Sequence, residues 1–140
     1  MRLLKNLRFL TNLIVTSLCF SLLLSLSSCR KITNGVETGV YIGTFTVNYP
    51  DTSISGLTTI ELKRKEFNCS GNINRVPAGG RGHYEIKKGK IIFNDENMWT
   101  ADFDWNLILN GEYDYNSKGE KLKIWKTNSI ATYTYELEIK

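Results

Sequence analysis

The segment Thr132-Tyr-Thr-Tyr-Glu-Leu-Glu-Ile139 alternates without a fault. Tyr133, Tyr135, Leu137 and Ile139 take one side, and Thr132, Thr134, Glu136 and Glu138 take the other. Successive side chains of a strand point to opposite faces, so a period of two marks a β-strand with one face in a core and one in water. A helix would scatter the same apolar residues around its circumference.

The pattern repeats toward the N-terminus. Lys121 to Lys126 and Glu112 to Tyr115 read as strands around a turn at Ser117-Lys118-Gly119. Phe103 to Leu109 sets Phe103, Trp105, Leu107 and Leu109 against Asp104 and Asn106, and Asn110-Gly111 after it is a strong hairpin signal. Tyr84 to Lys87 and Lys90 to Asn94 flank Lys88-Gly89, a two-residue turn. Before them come Pro77-Ala78-Gly79-Gly80, a loop, and strands over Phe67 to Ile73, Thr58 to Lys63 and Val40 to Asn48. Turns are expected at Arg64-Lys65, at Pro50-Asp51 and over Ser53 to Gly56. No segment after residue 29 carries a helical period. The expected fold is therefore all-β: an antiparallel up-and-down barrel of about eight strands, with a β-sandwich as the alternative. Closure removes the exposed edges of a meander, and consecutive hairpins suit a barrel better than a sandwich, which needs longer crossovers.

The first residues have a different character. Arg2, Lys5 and Arg8 precede an apolar run from Phe9 to about Leu26, which ends in Leu26-Ser27-Ser28-Cys29. An apolar residue, two small residues and a cysteine at the end of such a run resemble a lipobox, the cleavage and lipidation signal of bacterial lipoproteins. The expected organisation is a signal peptide over 1–28, a lipidated Cys29 with a tether over 29–38, and a barrel domain over 39–140. Two or three acyl chains anchor a protein stably, so the membrane would be its first partner. Arg30 follows the cysteine, with no aspartate there to signal inner-membrane retention, and the expected location is the outer membrane.

Charge and cysteine content exclude several classes. The chain holds 18 Lys+Arg and 14 Asp+Glu, three of the basic residues precede Cys29, and the remainder carries 15 minus 14, or +1. That balance does not support nucleic-acid binding. Past Cys29 only Cys69 remains, so no intrachain disulfide is expected and the domain must stand on its core.

Three stretches carry a resemblance: Gly39-Val-Tyr-Ile-Gly-Thr-Phe45, the segment from Asn72 to Gly82 around Pro77-Ala-Gly-Gly80, and the segment from Trp99 to Tyr115. They resemble the small lipocalin-like, calycin-type lipoproteins of Gram-negative bacteria. Tyr41 stands where the Gly-x-Trp opening of calycins has Trp. The resemblance implies a barrel and an envelope location, and brings no catalytic residues with it.

Chemistry-bearing motifs are sparse. His83 is the only histidine, and no Gly-x-Ser-x-Gly elbow accompanies it, so no enzyme activity is expected. One histidine and one free cysteine cannot supply a zinc site. Asp102, Asp104 and Asn106 lack the glycine and glutamate spacing of a calcium loop, and strand alternation explains them. Gly79-Gly-Arg-Gly82 has no helix behind it to hold a phosphate. No cofactor or metal is expected.

Aromatic residues are the more suggestive feature. Most of them suit a filled barrel interior. Trp99, in a loop from Asp95 to Ala101, has less reason to be buried. The expected function is a non-enzymatic binder of a small or extended ligand at the barrel mouth, through Trp99, Trp105, Arg75 and Arg81. The alternative is a protein-interaction module, such as an inhibitor of an exogenous hydrolase or an envelope assembly factor, acting through loops such as Asn74 to Gly82.

Overall fold

In the computed structural model, which describes residues 32–33, 35–100 and 104–140, the alternation of the last segment is the inside and outside of a barrel wall. Tyr133, Tyr135, Leu137 and Ile139 are buried, and the residues between them are partly or fully exposed. The strands are β1 (Ile32–Thr33), β2 (Val36–Glu37), β3 (Gly39–Asn48), β4 (Ser53–Leu62), β5 (Glu66–Cys69), β6 (Gly80–Lys87), β7 (Lys90–Asp95), β8 (Gly111–Lys118), β9 (Lys121–Thr127) and β10 (Thr132–Ile139). Strands β3 to β10 close into an antiparallel barrel in which every strand pairs with its sequence neighbours and β10 returns to β3. That last ladder runs unbroken from Thr132↔Asn48 to Ile139↔Tyr41. It leaves no sheet edge, so the architecture is a lipocalin-like up-and-down barrel and not a sandwich. Among the described residues there is no α-helix, only a 3-10 turn at Trp105–Leu107.

Strict up-and-down order separates the two ends. The connections 49–52, 70–79, 96–110 and 128–131 share one end, including the two long ones. The tight turns 63–65, 88–89 and 119–120 share the other, where the chain also enters β3 and leaves β10. Lys88 and Gly89 have φ of 52° and 76°, the paired positive angles of a type I′ turn. Within the stretch expected as a tether, β1 and β2 pair as a small hairpin, and Val36 joins the buried core.

Several strands differ from expectation for local reasons. The described part of the segment expected over Phe103 to Leu109, Asp104 to Leu109, is not a strand. Asp104 caps the 3-10 turn by accepting the Asn106 N–H at 2.9 Å, and Leu107, Ile108 and Leu109 are consecutively buried. These three residues plug the loop end, which demands apolar side chains without alternation. Phe103 itself lies outside the described residues. Asn110-Gly111 is accordingly not the tip of a hairpin. β7 and β8 pair across the long connection, with Gly111 opposite Phe93 and the Asn110 Oδ1 accepting the Asp95 N–H at 3.0 Å. Ser53 to Gly56, expected as a break, belongs to β4, because the turn closes earlier, with Tyr49 N–H donating to Thr52 O at 2.8 Å. β5 stops at Cys69 because Asn72 then organises the loop. Its Oδ1 accepts the N–H groups of Asn74 and Val76 at 3.0 Å each.

Barrel curvature needs glycine at chosen places. At Gly43 a Cβ would lie 1.9 Å from the Glu136 carbonyl oxygen, so only glycine lets β3 approach β10 this closely. An aromatic series crosses the interior. Phe45 meets Tyr135 at 4.4 Å between centroids, Tyr135 meets Tyr113 at 6.2 Å, Tyr113 meets Phe93 at 5.7 Å, and Phe93 meets Phe67 at 4.9 Å. Offset and edge-to-face pairs of this kind add to the burial of their large apolar area.

Candidate functional site

The loop end is stitched together over part of its circumference. Ala78 N–H donates to Leu107 O at 3.0 Å, and Leu109 N–H donates to Gly79 O at 2.8 Å. Gly79 has φ of 111°, which glycine adopts without strain. The connections 70–79 and 96–110 thereby cap the barrel beside β5, β6 and β7.

The β8–β10 side of the same end is polar. Period two puts Leu122, Ile124 and then Lys126 on the inward face of β9. Lys126 lies opposite the buried Tyr133 in the β9–β10 ladder. Its Nζ is 4.8 Å from the Tyr113 ring centroid and 5.5 Å from that of Tyr133, and it donates to the Asn110 carbonyl at 3.1 Å. An ammonium over two aromatic rings is a cation–π arrangement. Partial burial pulls the Lys126 pKa below the ordinary lysine range, and the nearby Asp104 charge opposes that shift.

Tyr113, Tyr133 and Tyr135 bury their hydroxyls without a hydrogen bond. The Asn110 backbone stands near the first and the Asn128 side chain near the second, yet neither contact closes to bonding geometry. Burial raises the pKa of all three phenols, so they remain neutral donors. A buried polar atom without a partner costs free energy, and such atoms gather where a ligand or water completes the bonding. At the loop end of β5, desolvation pushes the buried Cys69 thiol up to about 12 against the lowering effect of Thr58, whose Oγ1 is 3.5 Å from the sulfur. A thiol held neutral is a poor nucleophile.

The residues expected to bind ligand are distributed as follows. Trp99 is half-buried in the 96–110 connection and donates its indole N–H to Asp95. Trp105 is 56% exposed on the 3-10 turn. Arg75 is exposed at the tip of the 70–79 loop, with φ of 55°. These three share the loop end. Arg81 does not face the barrel interior. It is exposed on the outer face of β6, beside Glu61, Glu66, His83 and Glu96. His83 bonds Glu96 there at 2.7 Å, both side chains exposed. None of the four expected residues belongs to the buried core.

Lys126, Tyr113 and Tyr133 escaped the sequence reading. The available signal was a lysine continuing the inward register of Leu122 and Ile124. Its meaning depends on which tyrosines the barrel sets across from it.

Among the described residues no helix is long and apolar enough to cross a membrane, and no cluster of His, Cys, Asp and Glu has a metal-binding arrangement. Compared with known proteins, the chain matches no family model, no curated protein and no solved structure.

Proposed function

We propose that this chain is a lipid-anchored envelope lipoprotein of the outer membrane that binds, without enzymatic turnover, a small or extended ligand carrying an anionic group at the loop end of its barrel. The observation that carries this reading is the inward-facing Lys126 set over Tyr113 and Tyr133, whose hydroxyls are buried without partners. A partly desolvated ammonium attracts an anion more strongly than one in bulk water, and two neutral phenols supply donors for its oxygens. Trp99, Trp105 and Arg75 border the same end and would contact the remainder of a longer ligand. The anchor rests on the Leu26-Ser27-Ser28-Cys29 motif. The chain enters β3 at the tight-turn end, opposite the loop end.

Native mass spectrometry of the protein recovered from its own host tests the reading. A discrete small-molecule mass increment that disappears in Lys126→Met supports it. A clean apo mass for both proteins rejects it.

A second reading is a protein-interaction module, such as an inhibitor of an exogenous hydrolase or an assembly factor. It is favoured by exposed apolar side chains in three separate loops of that end: Ile73 at 97%, Met98 at 100% and Ile130 at 56%. Crosslinking in the host, lost when these three are changed to serine, would establish it.

A further inference from the structure

Outside the barrel, the wall formed by β8, β9, β10 and β3 is indented into a groove of about 610 Å³. Trp125 closes one end of it, half-buried and pointing outward, between the inward-facing Ile124 and Lys126. From there the groove runs along β9 past Lys123 with its cross-strand neighbours Asn116 and Glu136 to Lys121 with Lys118 and Glu138, beside the exposed Ile42. Gly43 lines the floor, at the place where β3 closes on the Glu136 carbonyl.

The chemistry of this groove is specific. Its strands are fully laddered on both sides, because the barrel is closed. A bound chain cannot add as a further strand and must be read by side chains alone. The charges are of both signs, and Lys123 and Glu136 already neutralise each other at 2.8 Å. A polyanion or polycation would therefore meet repulsion as well as attraction. What remains is a half-buried indole at one end of a row of amide, ammonium and carboxylate groups, which can donate to and accept from hydroxyls. The size lies within the range of small-ligand sites.

We infer that the outer wall from Trp125 to Lys121 is a binding groove for a neutral oligosaccharide, with one sugar ring stacked on the indole and the hydroxyls of the following rings bonded to Asn116, Lys121 and Glu138. This site is separate from the loop end and does not depend on Lys126. The saccharide could be an envelope glycan or one from outside the cell, and the choice of probes distinguishes these sources.

The test is nuclear magnetic resonance of the protein's three indole N–H signals during titration with chito-, cello-, malto- and xylo-trisaccharides at millimolar concentration. The expected result is a saturable shift of the Trp125 signal with at least one of them. Chitotriose alone would point to an envelope-type amino-sugar backbone, and the others to an exogenous glycan. Trp125→Ala should weaken binding about tenfold or more. Glu138→Gln, at an exposed wall position, should weaken it with the melting temperature unchanged, which covers the case in which Trp125→Ala does not fold. The inference is overturned if no trisaccharide moves the Trp125 signal, or if binding survives in the folded variants.

Discussion

Lys126 and Tyr133 are cross-strand partners on the inner face of the barrel, with the ammonium 5.5 Å from the ring centroid. Directly opposed residues are the closest side-chain pairs a sheet provides. Here the pair sets a cation against an aromatic face at the rim, next to a phenol with no hydrogen bond.

Changing Lys126 to Met keeps the stem and removes the charge. The anionic fluorophore ANS should lose about tenfold in affinity, because a partly desolvated charge partner is gone. The melting temperature should hold or rise, because burial disfavours the charged form in the folded protein. Burial also moves the loss of that charge to lower pH, so ANS binding should decline on alkalinisation before an ordinary lysine would titrate. Unchanged ANS affinity in Lys126→Met would remove the cation from the site.

Tyr135 packs its ring 4.4 Å from Phe45 and buries a hydroxyl without a partner. Tyr135→Phe should therefore raise unfolding stability by about 1 kcal/mol. Tyr41→Phe should lower it by about 1 kcal/mol, because the Tyr41 hydroxyl donates to Glu37 O at 2.9 Å. Urea denaturation of both variants measures the contrast. Destabilisation by Tyr135→Phe would reveal a bound water or ligand bonded to that hydroxyl.

Cys69 dictates part of the alkaline behaviour. Burial raises its pKa from 9.0 to about 12, so between these values the unfolded chain releases a proton that the folded chain keeps. Stability is intact below the lower value and falls as pH rises toward the upper one, by about 1.4 kcal/mol per pH unit. Urea midpoints between pH 9.0 and 10.0 should fall less steeply in Cys69→Ala than in the parent, since the tyrosines contribute equally to both. Equal slopes would show that the thiol titrates normally.

Gly43→Ala should cost about 3 kcal/mol, since its Cβ meets the Glu136 carbonyl at 1.9 Å and neither backbone can retreat without opening the barrel. Gly89→Ala should cost only about 1 kcal/mol, because its Cβ enters open space and only the φ of 76° is strained. Thermal denaturation ranks the two, and a reversed order would mean that the β3–β10 contact is loose.

The legibility of the fold varied from element to element. Thr132–Ile139 was readable to the residue because one face is in the core and one in water throughout. Lys88-Gly89 was readable because a two-residue turn imposes its own chemistry. Phe103 to Leu109 misled because alternation was present in the letters, yet Leu107 to Leu109 cover the end of the barrel instead of lining its wall. Ser53 to Gly56 misled because serine and glycine, turn formers elsewhere, lie here in an outer wall held by its neighbours. Of the expected site, Trp99, Trp105 and Arg75 do share one end, whereas Arg81 takes the outer face because β6 begins at Gly80 and fixes its register.

Period-two alternation and turn chemistry are local, so the amino-acid sequence alone determined an all-β chain with inward and outward faces on most strands. Closure is not local. The pairing of β10 with β3 joins residues from opposite ends of the domain, and no short window of sequence records it. The same holds for the rim at Lys126 and the groove at Trp125. Each assembles side chains from three or more strands, and the tertiary structure alone sets those strands side by side.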